Sequence, residues 1–177
     1  MKKIIAFAGS NSSTSINIQL VKYAASLIDQ AEVEFLDLRD YDAPIYSADI
    51  EKEGIPRPIQ ELVAKLAEAD AYIIGSPEHN GSLTAFMKNT IDWASRVEAK
   101  FLGGKPVLLL STSGGKRGAA SSLEDLNIKM KYFAGQVAAT YSLGAFYDRF
   151  DQEQGVITND EERKKLTEAT AQFEKTL

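Results

Sequence analysis

The chain has 177 residues, 44% hydrophobic and 25% charged, with a formal net charge of −5 at pH 7. Domains usually run to about 100–200 residues, so one domain over residues 1–177 is expected, large enough to bury a core without covalent staples. The negative balance argues against a nucleic-acid surface; the absence of cysteine excludes disulfides, thiol nucleophiles and thiolate-bound metal, and a single histidine excludes a multi-histidine zinc site.

Lys2 and Lys3 precede an apolar run over residues 4–8. That run is shorter than the roughly 7–15 apolar residues of a secretory signal, and Gly9-Ser10 breaks it. No later stretch approaches the ~20 apolar residues of a membrane span. A soluble cytoplasmic chain without a targeting segment is therefore expected.

The first strand is predicted over residues 3–8, where Ile4-Ile5-Ala6-Phe7 suits a strand covered on both faces. It runs into Gly9-Ser10-Asn11-Ser12-Ser13-Thr14-Ser15-Ile16-Asn17, which opens a helix with an apolar stripe of Ile16, Leu20, Tyr23, Ala24 and Leu27. Hydroxyl and amide side chains beside the free N–H groups of a helix start can hold an anion. No lysine or arginine lies between residues 4 and 21. A phosphate bound here would meet only neutral donors, which suits a cofactor monophosphate that is held and not transferred. The loop is neither a Walker loop nor a Gly-x-Gly-x-x-Gly fingerprint. The alternative is a serine-rich turn with an ordinary N-cap.

A second strand is predicted over residues 32–37. Residues 39–58 carry Pro44, Gly54, Pro56, Pro58 and several charges. They read as a long excursion over a partner or beside a site, or as a plain surface loop. Ile59, Leu62, Val63 and Leu66 mark the next helix, and a third strand follows over residues 71–75. It ends in Gly75-Ser76-Pro77-Glu78-His79-Asn80-Gly81-Ser82, a sharp loop whose amides can point outward. Without a second histidine His79 is a poor metal ligand, and Glu78 has no carboxylate partner nearby in sequence. Both are read as shaping the loop. Phe86, Ile91, Trp93, Ala94 and Val97 populate a third helix.

The fourth strand, over residues 106–111, contains the apolar run Val107-Leu108-Leu109-Leu110. Ser111-Thr112-Ser113-Gly114-Gly115-Lys116-Arg117-Gly118 follows, with glycines that let backbone approach a flat ligand. Lys116 and Arg117 either attract an anionic substrate or are solvated loop charges. Leu123, Leu126, Met130 and Phe133 give a fourth helix, residues 136–143 a fifth strand, and Leu166, Ala169, Ala171 and Phe173 a terminal helix.

Strands and helices alternating at this pitch imply βαβ units, an α/β fold and a doubly wound parallel sheet. In the order 2-1-3-4-5 the first and third strands meet at the switch point, where ligands bind beyond the carboxyl ends of the strands. The three polar loops would then border one crevice, with one wall for phosphate and the others for a planar ring. That is a reasonable site for flavin mononucleotide (FMN).

Over residues 3–146 the chain resembles the NAD(P)H-dependent FMN reductases of flavodoxin-like fold, a group that includes quinone, azo-dye and chromate reductases. The family's Gly-Ser-x-Arg-x-x-Ser-x-Asn corresponds to Gly9-Ser10-Asn11-Ser12-Ser13-Thr14-Ser15-Ile16-Asn17, with Ser12 in place of arginine. Its Pro-Glu-Tyr-Asn corresponds to Pro77-Glu78-His79-Asn80, with His79 in place of tyrosine. Lys88-Asn89-Thr90-Ile91-Asp92-Trp93 and Gly104-Lys105-Pro106-Val107 also match.

The resemblance implies a three-layer α/β/α sandwich with a five-stranded parallel sheet. It implies that Ser10, Ser12, Ser15, Ile16 and Asn17 hold the FMN phosphate. Pro77, Glu78, His79 and Asn80 would line the isoalloxazine, and Thr112, Ser113 and Gly114 would contact its other edge. NADPH or NADH would reduce FMN, and quinones, free flavin or similar small acceptors would reoxidise it in a ping-pong cycle, with no obligatory side-chain acid or base. No metal, membrane or nucleic acid is implied. A homodimer or homotetramer is implied, and residues 82–97, with Phe86, Met87 and Trp93, are the candidate interface helix, the alternative being plain core packing. The competing functions are a flavodoxin-type electron carrier and an FMN-binding regulatory protein without turnover.

Overall fold

The computed structural model describes residues 1–177. Five parallel strands form the sheet: β1 (Lys2–Ala8), β2 (Ala31–Phe35), β3 (Ala71–Gly75), β4 (Pro106–Thr112) and β5 (Gln136–Leu143). Their order is β2-β1-β3-β4-β5, as the sequence predicts. Helices α1 (Ile16–Ser26) and α7 (Asp160–Glu174) cover one face. Helices α3 (Arg57–Ala67), α4 (Ala85–Val97) and α5 (Ala120–Tyr132) cover the other. Two short helices, α2 (Ala48–Glu53) and α6 (Phe146–Arg149), lie in the connections.

The pleat divides the apolar runs between two cores. Ile5, Phe7, Tyr72, Ile74, Val107 and Leu109 face α3, α4 and α5. Ile4, Ala6, Ile73, Leu108 and Leu110 face α1 and α7. All of these are at most 5% exposed, which explains why these strands read as unbroken apolar runs.

Several boundaries depart from expectation. The second strand stops at Phe35, because Asp37 leaves the sheet to accept the Arg39 N–H at 3.0 Å and cap a 3-10 turn, Leu38–Tyr41. In α7 Ala171 faces solvent, and Glu162 and Thr170 join Leu166, Ala169 and Phe173 on the buried stripe. Phe133 lies just past the end of α5, where it stacks on Phe101.

Residues 39–58 form a strap pinned to α4, not a plain loop. Asn89 accepts from the Tyr46 N–H at 2.8 Å and donates to the carbonyls of Ala43 and Pro44, each at 3.1 Å. The Trp93 indole donates to Pro44 O at 2.7 Å, and Arg96 pairs with Glu51 of α2 at 2.9 Å. Met87 and Trp93 are 1% and 0% exposed, so both belong to the core and neither is available to an interface on α4. The outer face of that helix instead carries the ion pair Lys88–Asp92.

Candidate functional site at the carboxyl edge of the sheet

The loop after β1 is built on its own hydroxyls. Ser10 Oγ accepts the Ser12 N–H at 3.2 Å, and Ser12 Oγ accepts the Thr14 N–H at 3.3 Å. Gly9 donates to Gly75 O at 3.0 Å, tying this loop to the end of β3. A Cβ at Gly9 would stand 2.6 Å from the Met87 side chain, so only glycine fits this turn. Thr84, the N-cap of α4, donates to Gly9 O at 2.6 Å and accepts the Met87 N–H at 3.0 Å. Thus β3 and α4 both hold the loop in place.

Ser15 caps α1 by position only: its side chain makes no cap hydrogen bond, and the first turn contains no acidic residue. The N–H groups of Ile16, Asn17 and Ile18 have no acceptor in the protein. Unclaimed donors, a favourable helix dipole and a first turn without a carboxylate suit a phosphate monoester. The donor set fits the phosphate end of FMN.

Asn17 has a role that sequence reading did not supply. Its amide donates to Thr112 O and accepts the Thr112 N–H, both at 3.0 Å, and the residue is 4% exposed. The amide oxygen and one of the two amide N–H donors are thereby engaged, and the Asn17 backbone N–H at the start of α1 has no acceptor. The clamp sets the distance between the loops after β1 and β4. Thr112 Oγ1 extends it by donating to Leu143 O at 2.7 Å, at the end of β5.

The loop after β3 contains a hairpin, Glu78–His79 against Ser82–Leu83, turning through Asn80 (φ 52°) and Gly81 (φ 77°). Two successive positive φ values make the mirror-image turn that matches strand twist, and Asn-Gly is its strongest sequence signal. That signal is present in the sequence and foretells the hairpin. Glu78 accepts the Ser122 N–H at 3.0 Å, so its carboxylate caps α5, whose own N-cap, Ala119, has no side chain able to do so. Ser122 Oγ donates to Pro77 O at 2.8 Å and lies 2.7 Å from Ser76 Oγ. Pro77 is buried, Glu78 is half-buried, and His79 and Asn80 are exposed.

After β4, Ser113 is half-buried while Gly114, Gly115, Lys116 and Arg117 are exposed. Arg117 donates to Ser121 Oγ at 2.8 Å. The residues singled out from sequence in all three loops therefore come to one edge, held by Gly9–Gly75, Ser76–Leu110 and Asn17–Thr112 hydrogen bonds. Two open cavities flank them. One, of about 440 Å³, is lined by His79, Asn80, Lys88 and Lys129 among others; the other, of about 230 Å³, by Asn11, Arg39, Asp42 and Phe86. A larger groove of about 790 Å³ follows the outer edge of β5 between α5 and α7, away from the three loops. There Gln172 donates to Ala138 O at 2.8 Å. No helix is long and apolar enough to cross a membrane.

The sequence model of the family described as NADPH-dependent FMN reductase matches residues 2–148. The chain is 32% identical over 119 residues to an NAD(P)H-dependent FMN reductase of Pseudomonas aeruginosa, an alignment spanning 67% of this chain and 63% of that protein. It is 30% identical over 174 residues to an NAD(P)H:quinone oxidoreductase of Solanum tuberosum, spanning 93% and 87%. In three dimensions it is similar to the flavoenzyme NAD(P)H:(acceptor) oxidoreductase FerB of Paracoccus denitrificans. The TM-score is 0.80 at 24% identity, over 99% of this chain and 97% of that one, a likeness of fold.

Proposed function

The chain belongs to the NADPH-dependent FMN reductase family, and from that premise we propose that it reduces quinones or similar small acceptors with electrons from NADPH or NADH. The whole chain acts as one FMN-binding domain, in the cytoplasm, and as a homodimer or homotetramer. When bound, FMN supplies the centre through which a nicotinamide reduces an acceptor. The protein binds, orients and shields.

The observation that carries this reading is the uncapped start of α1, clamped through Asn17 to the end of β4. The Ser15 hydroxyl and the N–H groups of Ile16, Asn17 and Ile18 would hold the phosphate, while Ser10 and Ser12 stiffen the loop that presents them. Pro77, Glu78, His79 and Asn80 would border the ring on one side and Thr112, Ser113 and Gly114 on the other. Glu78 acts through position: its carboxylate is committed to α5, so the hairpin offers mainly backbone groups. No side chain at the edge is required to carry a proton. Donor and acceptor would use the same exposed face in turn, the ping-pong order.

Anaerobic stopped-flow absorbance tests the proposal. FMN-loaded protein mixed with NADPH, then separately with NADH, should lose its flavin band quickly with at least one nucleotide and regain it on adding benzoquinone. Flavin that binds but stays oxidised would instead make the protein an electron carrier or a regulator. Failure to take up FMN would refute the phosphate site.

A further inference from the structure

We propose that Tyr147, which follows β5 and lies outside the three loops, is a fourth wall of the flavin site, its ring resting against the isoalloxazine of bound FMN. This rests on the FMN reading above.

Past β5 the chain runs Gly144-Ala145-Phe146-Tyr147 and docks by its backbone onto the loop after β4. Ala145 N–H donates to Gly115 O at 2.9 Å, and Phe146 N–H donates to Ser113 O at 3.1 Å. Ser142 Oγ donates to Gly118 O at 2.8 Å. No Cβ fits at Gly144, which packs against the Lys116 carbonyl. Ala145 sits at φ 52°, a left-handed conformation that costs an alanine energy and that the surrounding contacts hold.

This arrangement fixes two aromatic residues in opposite ways. Phe146 is 0% exposed and stacks on Phe150, with ring centroids 4.6 Å apart. Tyr147 meets Phe146 edge-on at 5.6 Å and turns outward, 65% exposed. Its ring covers Gly114: a Cβ there would stand 3.1 Å from Tyr147 Cε2 and 3.3 Å from Cδ2. Gly114 is thus the residue that lets the ring lie against the backbone of the loop. Core packing does not account for Tyr147, because most of its surface is in water. An exposed ring, carried on backbone docked beside a glycine-rich edge, does suit contact with a flat aromatic ligand.

The test uses the full chain and its variants Tyr147→Ala, Tyr147→Phe and Tyr132→Ala. Tyr132 is a comparable exposed tyrosine, 67% exposed, on α5. Each is titrated with FMN, and the emission lifetime of the bound flavin is recorded, since a phenol in contact with the ring quenches it. Wild type and Tyr132→Ala should bind with strongly quenched emission. Tyr147→Ala should bind about tenfold more weakly, ~1.4 kcal/mol, and emit severalfold longer. Tyr147→Phe should keep the affinity within about twofold yet lose quenching, since a phenyl ring stacks without donating an electron. Circular dichroism verifies folding, and the phenylalanine variant decides the matter should the alanine variant unfold. Lifetimes and affinities of both Tyr147 variants equal to wild type would overturn the proposal while leaving the FMN reading intact. A wild type that takes up no FMN would overturn both.

Discussion

The two ends of the parallel sheet are held by different chemistry. Toward the amino end the ties are charged and partly solvated. Lys3 reaches Glu34 at 2.9 Å and Glu68 at 2.8 Å, Lys65 reaches the same two carboxylates at 3.0 and 3.1 Å, and Lys2 reaches Asp70 at 3.4 Å. At the carboxyl end, the Glu78 carboxylate on Ser122 N–H apart, the ties are neutral and buried: Asn17 to Thr112, Thr112 to Leu143, Ser122 to Pro77 and Thr84 to Gly9. A solvated ion pair contributes little and tolerates drift. A buried neutral hydrogen bond is directional and costly to leave unmade. Positional accuracy is therefore concentrated at the end where three loops must meet a ligand.

The sharpest way to break this contrast is Asn17→Ala. It strands the N–H and C=O of Thr112, which is 1% exposed. A loss of ~2–4 kcal/mol in urea unfolding is expected, with FMN affinity down by more than about tenfold in calorimetric titration. Asn11→Ala, at an exposed position of the same loop, should alter neither quantity much. Equal FMN affinities for the two variants would detach the clamp from the site.

Gly9→Ala comes next. Its Cβ would press on Met87, for a cost of ~1–3 kcal/mol. Combining it with Met87→Gly, which removes the clashing Cβ as well as the rest of the side chain, should recover part of the loss caused by the clash, and a strictly additive double mutant would show that the two residues do not meet. Ser122→Ala removes the donor to Pro77 O and the partner of Ser76, for ~1–2 kcal/mol by the same unfolding assay, with weaker FMN binding.

Glu34→Gln, toward the other end, should shift the melting temperature slightly and leave FMN affinity unchanged. Lys3 first and Lys65 second hold the Glu34 carboxyl below its ordinary 4.5. Glu68, then Glu34, hold the Lys3 ammonium above its ordinary 10.5. The carboxylate's share is fully present above pH 4.5 and is lost as pH falls through its lower folded value. The lysine's share is fully present below pH 10.5 and is lost as pH rises through its higher folded value. Melting curves of wild type and Glu34→Gln should therefore stay a constant distance apart near neutrality and converge in acid. A gap that widened in acid would contradict the pairing.

The sheet and its three polar loops were legible because they depend on local patterns, while the strand order came from the doubly wound fold that the alternation and the family resemblance implied. Doubly covered strands read as apolar runs such as Val107-Leu108-Leu109-Leu110, and each polar loop follows such a strand directly. The hairpin at Asn80-Gly81 was missed, the segment being read only as a sharp loop, although the dipeptide carries the signal for the turn. What stayed hidden depends on partners far away in sequence. Nothing near Glu78 announces that it caps a helix beginning at Ala120. The strap over residues 39–58 could not be told from a loop until Asn89 and Trp93 were seen to hold it. Nothing in the sequence singles out Tyr147, because its neighbour Gly114 belongs to another connection.

The Asn17–Thr112 clamp joins residues 95 positions apart. Bringing such distant segments together costs chain entropy before any contact repays it, and contacts of this kind slow folding. A ribosome that has extruded the whole serine-rich loop has made every donor proposed for the phosphate and still not the clamp that places them. The loop waits on the fourth strand, so on the proposed reading the ability to hold the cofactor is gained late in synthesis and with the closing of the sheet.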